Sequence, residues 1–288
     1  ENSSVSSKER TRNSRLEVRE IRCSSLLHEM NFGSSSEYTI NLYKGCTHGC
    51  VYCYAPSLIH DDRRWGDYVD VKTNAASVLD KELAKTRKQV VFVSSASDPY
   101  QPVEARFKIT RKVLNVLSKH RFPVLILTRS PLVIRDIDIL RELDWVRVGF
   151  SISTVPTRFY EPGVPSLEKR LEALAELHDF GITTWVSMAP LIPKLILTDL
   201  DQLFQRLKEV KISTVTIGVL RFVGYEQSKQ MFEERSGHSV EKLMESGSTV
   251  RQRVVSKANE YGLDTSGWSL SWSPSEDNTT PTLDSFGQ

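Results

Sequence analysis

Short apolar runs and amphipathic stretches alternate through the middle of the chain. Runs rich in β-branched residues indicate strands that are covered on both faces. These runs lie at 90–93, 124–127, 145–152, 184–188 and 215–219. Between them, apolar residues recur at intervals of three and four, as at Leu167, Leu171 and Leu174, which is typical of a helix buried on one side. A polar and apolar alternation over 38–43 predicts an additional, earlier strand.

Six such strand and helix repeats predict an α/β fold with a parallel sheet. Parallel strands require crossover connections, and right-handed crossovers wind the units into a sheet or a barrel. Six strands are too few for a closed eight-stranded barrel, so we expect a partial (β/α)6 barrel that is open on one side. Val250, Val254 and Ala258 share one helical face and predict a C-terminal helical extension that covers the barrel.

The two ends of the chain differ in composition from this repeat region. Residues 1–37 are rich in Ser, Arg and Glu, and we interpret them as a flexible leader with a lead-in segment. Residues 273–288 contain no Lys or Arg and are predicted to form a disordered tail. The expected division is therefore a leader (1–37), a barrel (38–222), a helical cover (223–272) and the tail.

The overall composition is that of an ordinary soluble globular protein, with 39% hydrophobic and 26% charged residues. No apolar run reaches the length that spans a membrane, and the N-terminal residues do not resemble a signal peptide. We therefore expect a cytoplasmic protein without a membrane partner. The net charge of +2 is too small to indicate nucleic-acid binding by itself.

Three of the four cysteines lie within residues 46–53, directly after the first predicted strand. This close spacing does not suit a disulfide framework and indicates metal or redox chemistry. Three thiolates on a tight loop suit a soft metal centre, and Cys46, Cys50 and Cys53 would leave one corner of a four-iron cube without a protein ligand. Gly45 and Gly49 would allow the backbone to bend around such a cube.

The alternative for these cysteines is a zinc site with His48 or Cys23 as the fourth ligand. Structural zinc sites generally combine two ligand pairs that are separated in sequence, whereas only one compact group exists here. Cys23 stands far from the other three, and a small packing residue is its simpler interpretation. An iron-sulfur cluster is therefore favoured.

The Cys-x3-Cys-x2-Cys spacing after a strand is the signature of the radical S-adenosylmethionine (SAM) enzymes. Further stretches are similar to one branch of that superfamily. They are 41–46 (NLYKGC), 53–55 (CYA), 97–102 (SDPYQP), 127–130 (LTRS), 161–163 (EPG) and 189–193 (APLIP). Together they resemble the spore photoproduct lyase-like branch, and the resemblance spans about 38–219.

The resemblance implies that Cys46, Cys50 and Cys53 hold one 4Fe-4S cluster whose free iron chelates SAM. It implies reductive cleavage of SAM to methionine and a 5′-deoxyadenosyl radical, which abstracts hydrogen from the substrate. An external flavodoxin- or ferredoxin-type reductant would supply the electron. Tyr52 occupies the position where the family places an aromatic residue against the adenine of SAM.

Further SAM contacts are expected at strand ends, where such barrels carry their sites. Ser97 and Asp98 stand where the family holds the methionyl amine, although helix capping explains them equally well. Arg129 suits a bidentate contact to the SAM carboxylate, with an exposed ion pair as the alternative. Ser151 and Ser153 suit the ribose hydroxyls or the carboxylate, although strand-end turn chemistry also explains them.

The sequence does not assign a catalytic residue. Candidates for the substrate opening are Tyr100, Glu104, Arg158 and Glu161. Spore photoproduct lyases use a further downstream cysteine to return a hydrogen atom to the repaired thymine, and this chain has none after Cys53. By analogy with the branch we expect a nucleic-acid lesion or a modified nucleotide as substrate. A peptide or small-metabolite substrate, or a non-catalytic metal-binding regulator, is the alternative.

Overall fold

Six parallel strands form the barrel wall. The computed structural model of the chain describes residues 16–32, 35–153, 157–195, 199–244 and 247–266. The strands of these residues are β1 (Glu17–Ile21), β2 (Leu27–Phe32), β3 (Ser35–Ile40), β4 (Tyr43–Lys44), β5 (Tyr68–Lys72), β6 (Val91–Val93), β7 (Val124–Thr128), β8 (Val146–Ser151), β9 (Thr183–Leu191) and β10 (Val215–Val219). The predicted tail and residues 1–15 lie outside the described ranges.

The main sheet has the strand order β10-β9-β8-β7-β6-β3-β2. Strands β3 and β6 to β10 run parallel, and β2 pairs with β3 in the antiparallel sense. Within the described ranges β10 and β2 form the two edges and do not pair with each other. The predicted α/β fold, a six-stranded partial barrel open on one side, is therefore confirmed.

Helices connect and cover these strands. They are α1 (Ala55–Ile59), α2 (Ala75–Leu83), α3 (Glu104–Phe107), α4 (Ile109–Lys119), α5 (Ile137–Leu140), α6 (Thr157–Tyr160), α7 (Leu167–Asp179), α8 (Leu200–Glu209), α9 (Glu226–Ser236), α10 (Val240–Met244) and α11 (Gly247–Glu260). Short 3₁₀ helices lie at Pro131–Asp136 and Pro193–Leu195. Helices α9 to α11 occupy the region where the pattern predicts a helical cover, and the domain boundaries stay a prediction.

Alternation along the barrel strands separates two apolar environments. In β7, Val124 and Ile126 belong to the large core beneath the helices, whereas Leu125 and Leu127 line a cavity on the other face. In β9, Val186 belongs to the core and Trp185 to the cavity wall. Because successive side chains point to opposite faces, each buried strand serves the core and the cavity at once.

The structure differs from the sequence expectation near the start of the barrel. The strand predicted over 38–43 ends at Ile40, and Tyr43 begins β4, which belongs to a second sheet with the order β1-β5-β4. The lead-in segment also contains β1 and β2, which the pattern does not predict. The exposed and partly exposed residues of β1 give no regular alternation, so periodicity offered no signal there.

The hydroxyl of Ser130 followed by Pro131 predicts a helix that starts there and continues to about Leu143, and the structure differs from this prediction too. Ser130 does cap it, because its hydroxyl accepts a hydrogen bond from the backbone N–H of Leu132 at 3.3 Å. The chain then forms the 3₁₀ helix and the short α5 instead of one continuous α-helix. The start signal was therefore correct and the type of helix was wrong.

Candidate functional site

The cysteine loop, residues 45–54, joins β4 to α1. Gly45 has φ +91° and Gly49 has φ +59°, which are left-handed conformations that glycine adopts without steric cost. A Cβ at Gly45 would also overlap the Tyr68 backbone and ring. The predicted tight bend at both glycines is confirmed.

Two segments hold this loop from the barrel side. The Gln101 side chain accepts a hydrogen bond from the Thr47 backbone N–H at 3.0 Å and donates one to the Gly45 carbonyl at 3.2 Å. The turn at 160–163 adds two backbone bonds, from Val51 N–H to the Tyr160 carbonyl at 2.9 Å and from Gly163 N–H to the His48 carbonyl at 3.0 Å. The loop is thus fixed on two sides independently of any bound group.

A third contact comes from the C-terminal helices. Ser228 of α9 donates its hydroxyl to the Tyr54 carbonyl at 3.0 Å, and its backbone N–H donates to the Ser57 hydroxyl at 2.8 Å. Ser57 and Ser228 are both buried. The segment that follows the last cysteine is therefore fastened to the helical cover.

A cavity of about 530 Å³ lies between the cysteine loop and the carboxyl ends of the barrel strands. Its size falls within the usual range for sites that bind small molecules and cofactors. The lining includes all three loop cysteines, Tyr52 and Arg129. Apolar and aromatic side chains from the barrel strands form the floor: Phe92, Leu125, Leu127 and Trp185. Thiols, a guanidinium and apolar side chains thus surround one space of the size that a small ligand occupies.

Cys46 and Cys50 are buried, Cys53 is partly buried, and none of the three forms a disulfide. Burial raises the pKa of Cys53 to about 12 and also raises the pKa of Cys50, so these thiols hold their protons until a metal displaces them. Among the described residues no three His, Cys, Asp or Glu side chains converge closely enough to hold a single metal ion. A four-iron cluster takes one thiolate per iron and therefore requires thiols spread around a cube.

Asp98 organises the turn that follows β6. Its carboxylate accepts hydrogen bonds from the Tyr100 backbone N–H at 2.9 Å, from the Thr128 hydroxyl at 2.7 Å and from the Arg129 backbone N–H at 2.7 Å. The carboxylate is thereby committed to protein donors of the turn. It does not cap a helix, as the alternative expectation had it, because the next helix, α3, begins at Glu104. Its contact with SAM stays a prediction.

His48 lies beside this carboxylate, and its Nδ1 stands 3.4 Å from an oxygen of Asp98. Burial opposes a charge on the imidazole, but Asp98 and Cys46 outweigh it and raise the pKa of His48 to about 10. The neighbouring Asp98 therefore favours the protonated imidazole. A positive group beside Cys46 suits a site in which thiols must become thiolates.

Arg129 extends from the end of β7 toward the cavity, as the sequence predicts. Its Nε stands 3.8 Å from an oxygen of Glu161, and this nitrogen makes no hydrogen bond. The Glu161 side chain is fully buried, so the expected alternative of a solvent-exposed ion pair is not what the structure shows.

The serines of the strand ends differ in their surroundings. Ser97 lines the cavity and its buried hydroxyl has no hydrogen-bond partner, and the same holds for Ser94. Ser151 also lines the cavity. Ser153 does not lie among the lining residues and donates its hydroxyl to Glu161 at 2.7 Å. The structure thus brings Ser97 and Ser151 to the cavity and places Ser153 behind it.

The candidates for the substrate opening are mostly buried. Tyr100 and Glu104 are fully buried and Glu161 is nearly so, which corrects the expectation that they face an opening. The side chain of Arg158 lies outside those described. The sequence pattern missed Gln101 and Arg170, a helix residue that is 1% exposed. The sequence does contain a signal for Arg170, because it is a charged residue on the otherwise apolar face of its helix.

An open parallel barrel that carries three thiols at the carboxyl ends of its strands defines a class of cofactor-dependent α/β enzymes. The family model of the Radical SAM superfamily matches residues 40–207. The chain belongs to this superfamily. It is a radical SAM enzyme, and the cofactors of the family are a 4Fe-4S cluster and SAM. Radical SAM enzymes take their electron from an external donor.

Relatives and solved structures agree with this membership. An uncharacterized protein of Methanocaldococcus jannaschii is 34% identical over 189 residues, which cover 64% of this chain and 71% of the relative. A radical SAM Nalpha-GlyT isomerase of Pseudomonas phage M6 is 28% identical over 195 residues, which cover 65% of this chain and 40% of the phage protein. A spore photoproduct lyase complexed with dinucleoside spore photoproduct has the same fold, with a TM-score of 0.61 at 19% identity over 77% of this chain and 67% of the lyase.

Membership of the radical SAM superfamily is therefore confirmed, and the likeness to spore photoproduct lyases is confirmed for the fold. Because the members of this family are enzymes, the alternative of a non-catalytic regulator is wrong. In the part of the chain that the structure describes, none of the helices combines the length and apolarity needed to cross a bilayer.

Proposed function

We propose that Cys46, Cys50 and Cys53 hold the 4Fe-4S cluster and that SAM occupies the adjoining cavity. The observation that carries the proposal is the common cavity wall formed by the three thiols, none of which is in a disulfide. When bound, the cluster and SAM supply a one-electron reduction that cleaves SAM into methionine and a 5′-deoxyadenosyl radical, and this radical takes a hydrogen atom from the substrate.

The residues around the thiols prepare this site. The imidazole of His48 lies beside Cys46, and the Asp98 carboxylate, 3.4 Å from its Nδ1, favours its protonated form. Gln101 and the turn at 160–163 fix the loop backbone, so the loop is shaped before the cofactor binds. A pre-shaped loop loses less conformational entropy when it binds a ligand.

The remaining cavity residues suit the parts of SAM. Arg129 offers guanidinium donors to the methionyl carboxylate, since its Nε has no hydrogen-bond partner in the protein. The partnerless hydroxyl of Ser97 and the hydroxyl of Ser151 line the same cavity and suit the amine or the ribose. Tyr52 lines the cavity beside Cys53 and suits the adenine. The apolar floor keeps water from the reacting carbon.

The experiment for this function is anaerobic reconstitution with iron and sulfide, followed by dithionite and SAM. We expect the reconstituted protein to be brown and to produce 5′-deoxyadenosine. A protein that binds four irons but leaves SAM intact would contradict the proposal.

For the substrate we propose a nucleic-acid lesion or a modified nucleotide. One structural neighbour is a lyase complexed with a dinucleoside photoproduct, which supports this choice by analogy. A feature of this chain adds to it. Arg221 is exposed, lines the cavity, and makes no hydrogen bond or ion pair with any other residue in the described ranges. A free guanidinium at a cavity mouth suits a phosphate of the substrate backbone.

Replacing Arg221 by glutamine should weaken binding of a single-stranded DNA oligonucleotide and reduce its salt dependence. Loss of one phosphate contact lowers the slope of log affinity against log salt by about 0.7. Titrations at several salt concentrations measure this slope. The matched control is Arg253→Gln, because Arg253 is also exposed but does not line the cavity. Equal slopes for both variants would count against a phosphate at Arg221 and favour a peptide or small-metabolite substrate.

A further inference from the structure

Two buried glutamates of this protein, Glu104 and Glu161, each contact one tyrosine and one arginine. Glu104 accepts a hydrogen bond from the Tyr43 hydroxyl and pairs with Arg135 at 2.6 Å. Glu161 accepts a hydrogen bond from the Tyr52 hydroxyl, and Arg129 lies beside it. Both side chains are fully buried. Each is a glutamate that joins a tyrosine to an arginine.

The two groups differ in how completely they are bonded. Both oxygens of Glu104 accept hydrogen bonds. Oε2 accepts from the Tyr43 hydroxyl and from the Thr110 backbone N–H at 3.0 Å, and Oε1 accepts from Arg135. In contrast, Oε2 of Glu161 makes no hydrogen bond, and neither does Nε of Arg129. Glu104 and Arg135 do not line the cavity, whereas Arg129 and Tyr52 do. The incomplete group is therefore the one that faces the cavity.

A second arginine approaches Glu161 from α7. Arg170 is almost completely buried, and its Nη1 stands 3.8 Å from Glu161 and donates to the Ser151 carbonyl at 2.8 Å. Glu161 thus separates two guanidinium groups that would otherwise repel each other. Its other oxygen accepts the Ser153 hydroxyl at 2.7 Å. The carboxylate is fixed on the protein side by neutral donors and balances the two cations.

We propose that Glu161 is a positioning residue for SAM, which holds the Arg129 guanidinium and the Tyr52 ring in the orientation that the cofactor meets. The proposal rests on the proposed function, since it assumes that SAM occupies the cavity. Glu161 does not line the cavity and acts only through Arg129 and Tyr52. Partners of this kind orient the groups that touch a ligand and are needed for full affinity.

The direction of the effect separates positioning from simple charge. If Glu161 acted only as a negative charge, its removal would strengthen the attraction of Arg129 for a carboxylate. If it acts by positioning, its removal leaves Arg129 and Arg170 to move apart, and SAM binding weakens. The two explanations therefore predict opposite signs for one measured quantity.

The test compares Glu161→Gln with Glu104→Gln in the reconstituted protein, by equilibrium dialysis of SAM and by thermal unfolding without SAM. We expect Glu161→Gln to raise the dissociation constant of SAM about 10-fold or more at unchanged iron content. Glu104→Gln removes an equally buried charge and should lower the unfolding temperature without changing the dissociation constant. Unchanged or tighter SAM binding in Glu161→Gln overturns the proposal.

A second variant keeps the test decisive if Glu161→Gln does not fold. Ser153→Ala removes one donor to Glu161 without altering any charge, and we expect a smaller rise of the dissociation constant in the same direction. No rise in Ser153→Ala overturns the proposal in that case. Failure of the unaltered protein to bind SAM would instead overturn the proposed function, so the two failures are distinguishable.

Discussion

We expect the Cys50→Ala protein to retain its fold but to bind no stable 4Fe-4S cluster and to form no detectable 5′-deoxyadenosine. Cys50 is buried on the cavity wall and is the middle member of the three-thiol group. With the proposed ligand set, only Cys46 and Cys53 would remain for a cluster that needs three thiolates, and the remaining cysteine, Cys23, does not line the cavity. Iron and sulfide content, the visible absorbance and the yield of 5′-deoxyadenosine measure the loss.

The matched control for this experiment is Cys23→Ala. Cys23 is the fourth cysteine of the chain; it does not line the cavity, and its backbone N–H and thiol contact the side chain of Asn74. We expect this variant to bind iron and to cleave SAM as the unaltered protein does. A Cys50→Ala protein that still cleaves SAM, or a Cys23→Ala protein that does not, would refute the assigned ligand set.

The second large effect is expected from Gly163→Ala. A Cβ at residue 163 would overlap the Thr47 carbonyl oxygen and stand 2.9 Å from His48 Cα, and neither atom can move without shifting the cysteine loop. Overpacking of this kind costs about 1–3 kcal/mol of folding stability. Because the strain falls on the loop that carries Cys46 and Cys50, we expect iron content to fall together with the unfolding temperature.

Gly247→Ala is the control for this substitution. A Cβ there would meet the Met244 side-chain methyl at 3.2 Å, which is the end of a flexible chain and can move aside. Residue 247 begins α11, where alanine is also a better helix former than glycine. We expect this variant to unfold at or above the temperature of the unaltered protein and to load iron normally. A normal iron content in Gly163→Ala would show that the turn does not shape the loop.

Periodicity predicted the barrel because its strands are buried on both faces and its helices on one. The strand at 215–219 agrees with β10 at both ends, and the helix at Leu167–Asp179 follows the leucines that indicate it. The second sheet was missed because β1 is largely exposed and β4 has only two residues. Such strands are stabilised by pairing with neighbouring strands, and their own sequences carry no regular alternation that would predict them.

The candidate site was predictable where chemistry and spacing coincide. The three loop cysteines, Tyr52 and Arg129 do line one cavity, as the motifs indicate. Asp98 shows the limit of such reasoning, because a carboxylate after a strand suits a ligand or a helix cap equally well, and only the structure shows the backbone donors of a turn that engage it. The role of each residue toward the cofactors stays a prediction.

The partners behind the cavity could not be found from spacing. Glu161 lies 109 residues after Tyr52, and no local pattern relates two positions that only tertiary folding brings together. Arg170, which the sequence analysis missed, does have a signal in the sequence, since a charge among Leu167, Leu171 and Leu174 must have a buried partner. A charged residue on an apolar helical face is therefore a useful pointer to a buried network.

The Ser57 and Ser228 contact bears on how the protein is made. These residues are 171 positions apart, so the cysteine loop leaves the ribosome long before the helix that fastens it has been synthesised. Until α9 emerges, the three thiols stand on a loop that lacks one of its anchors. We therefore expect a chain that ends before α9 to retain the proposed cluster less well than the full chain, because the loop that carries the three cysteines would lack this anchor.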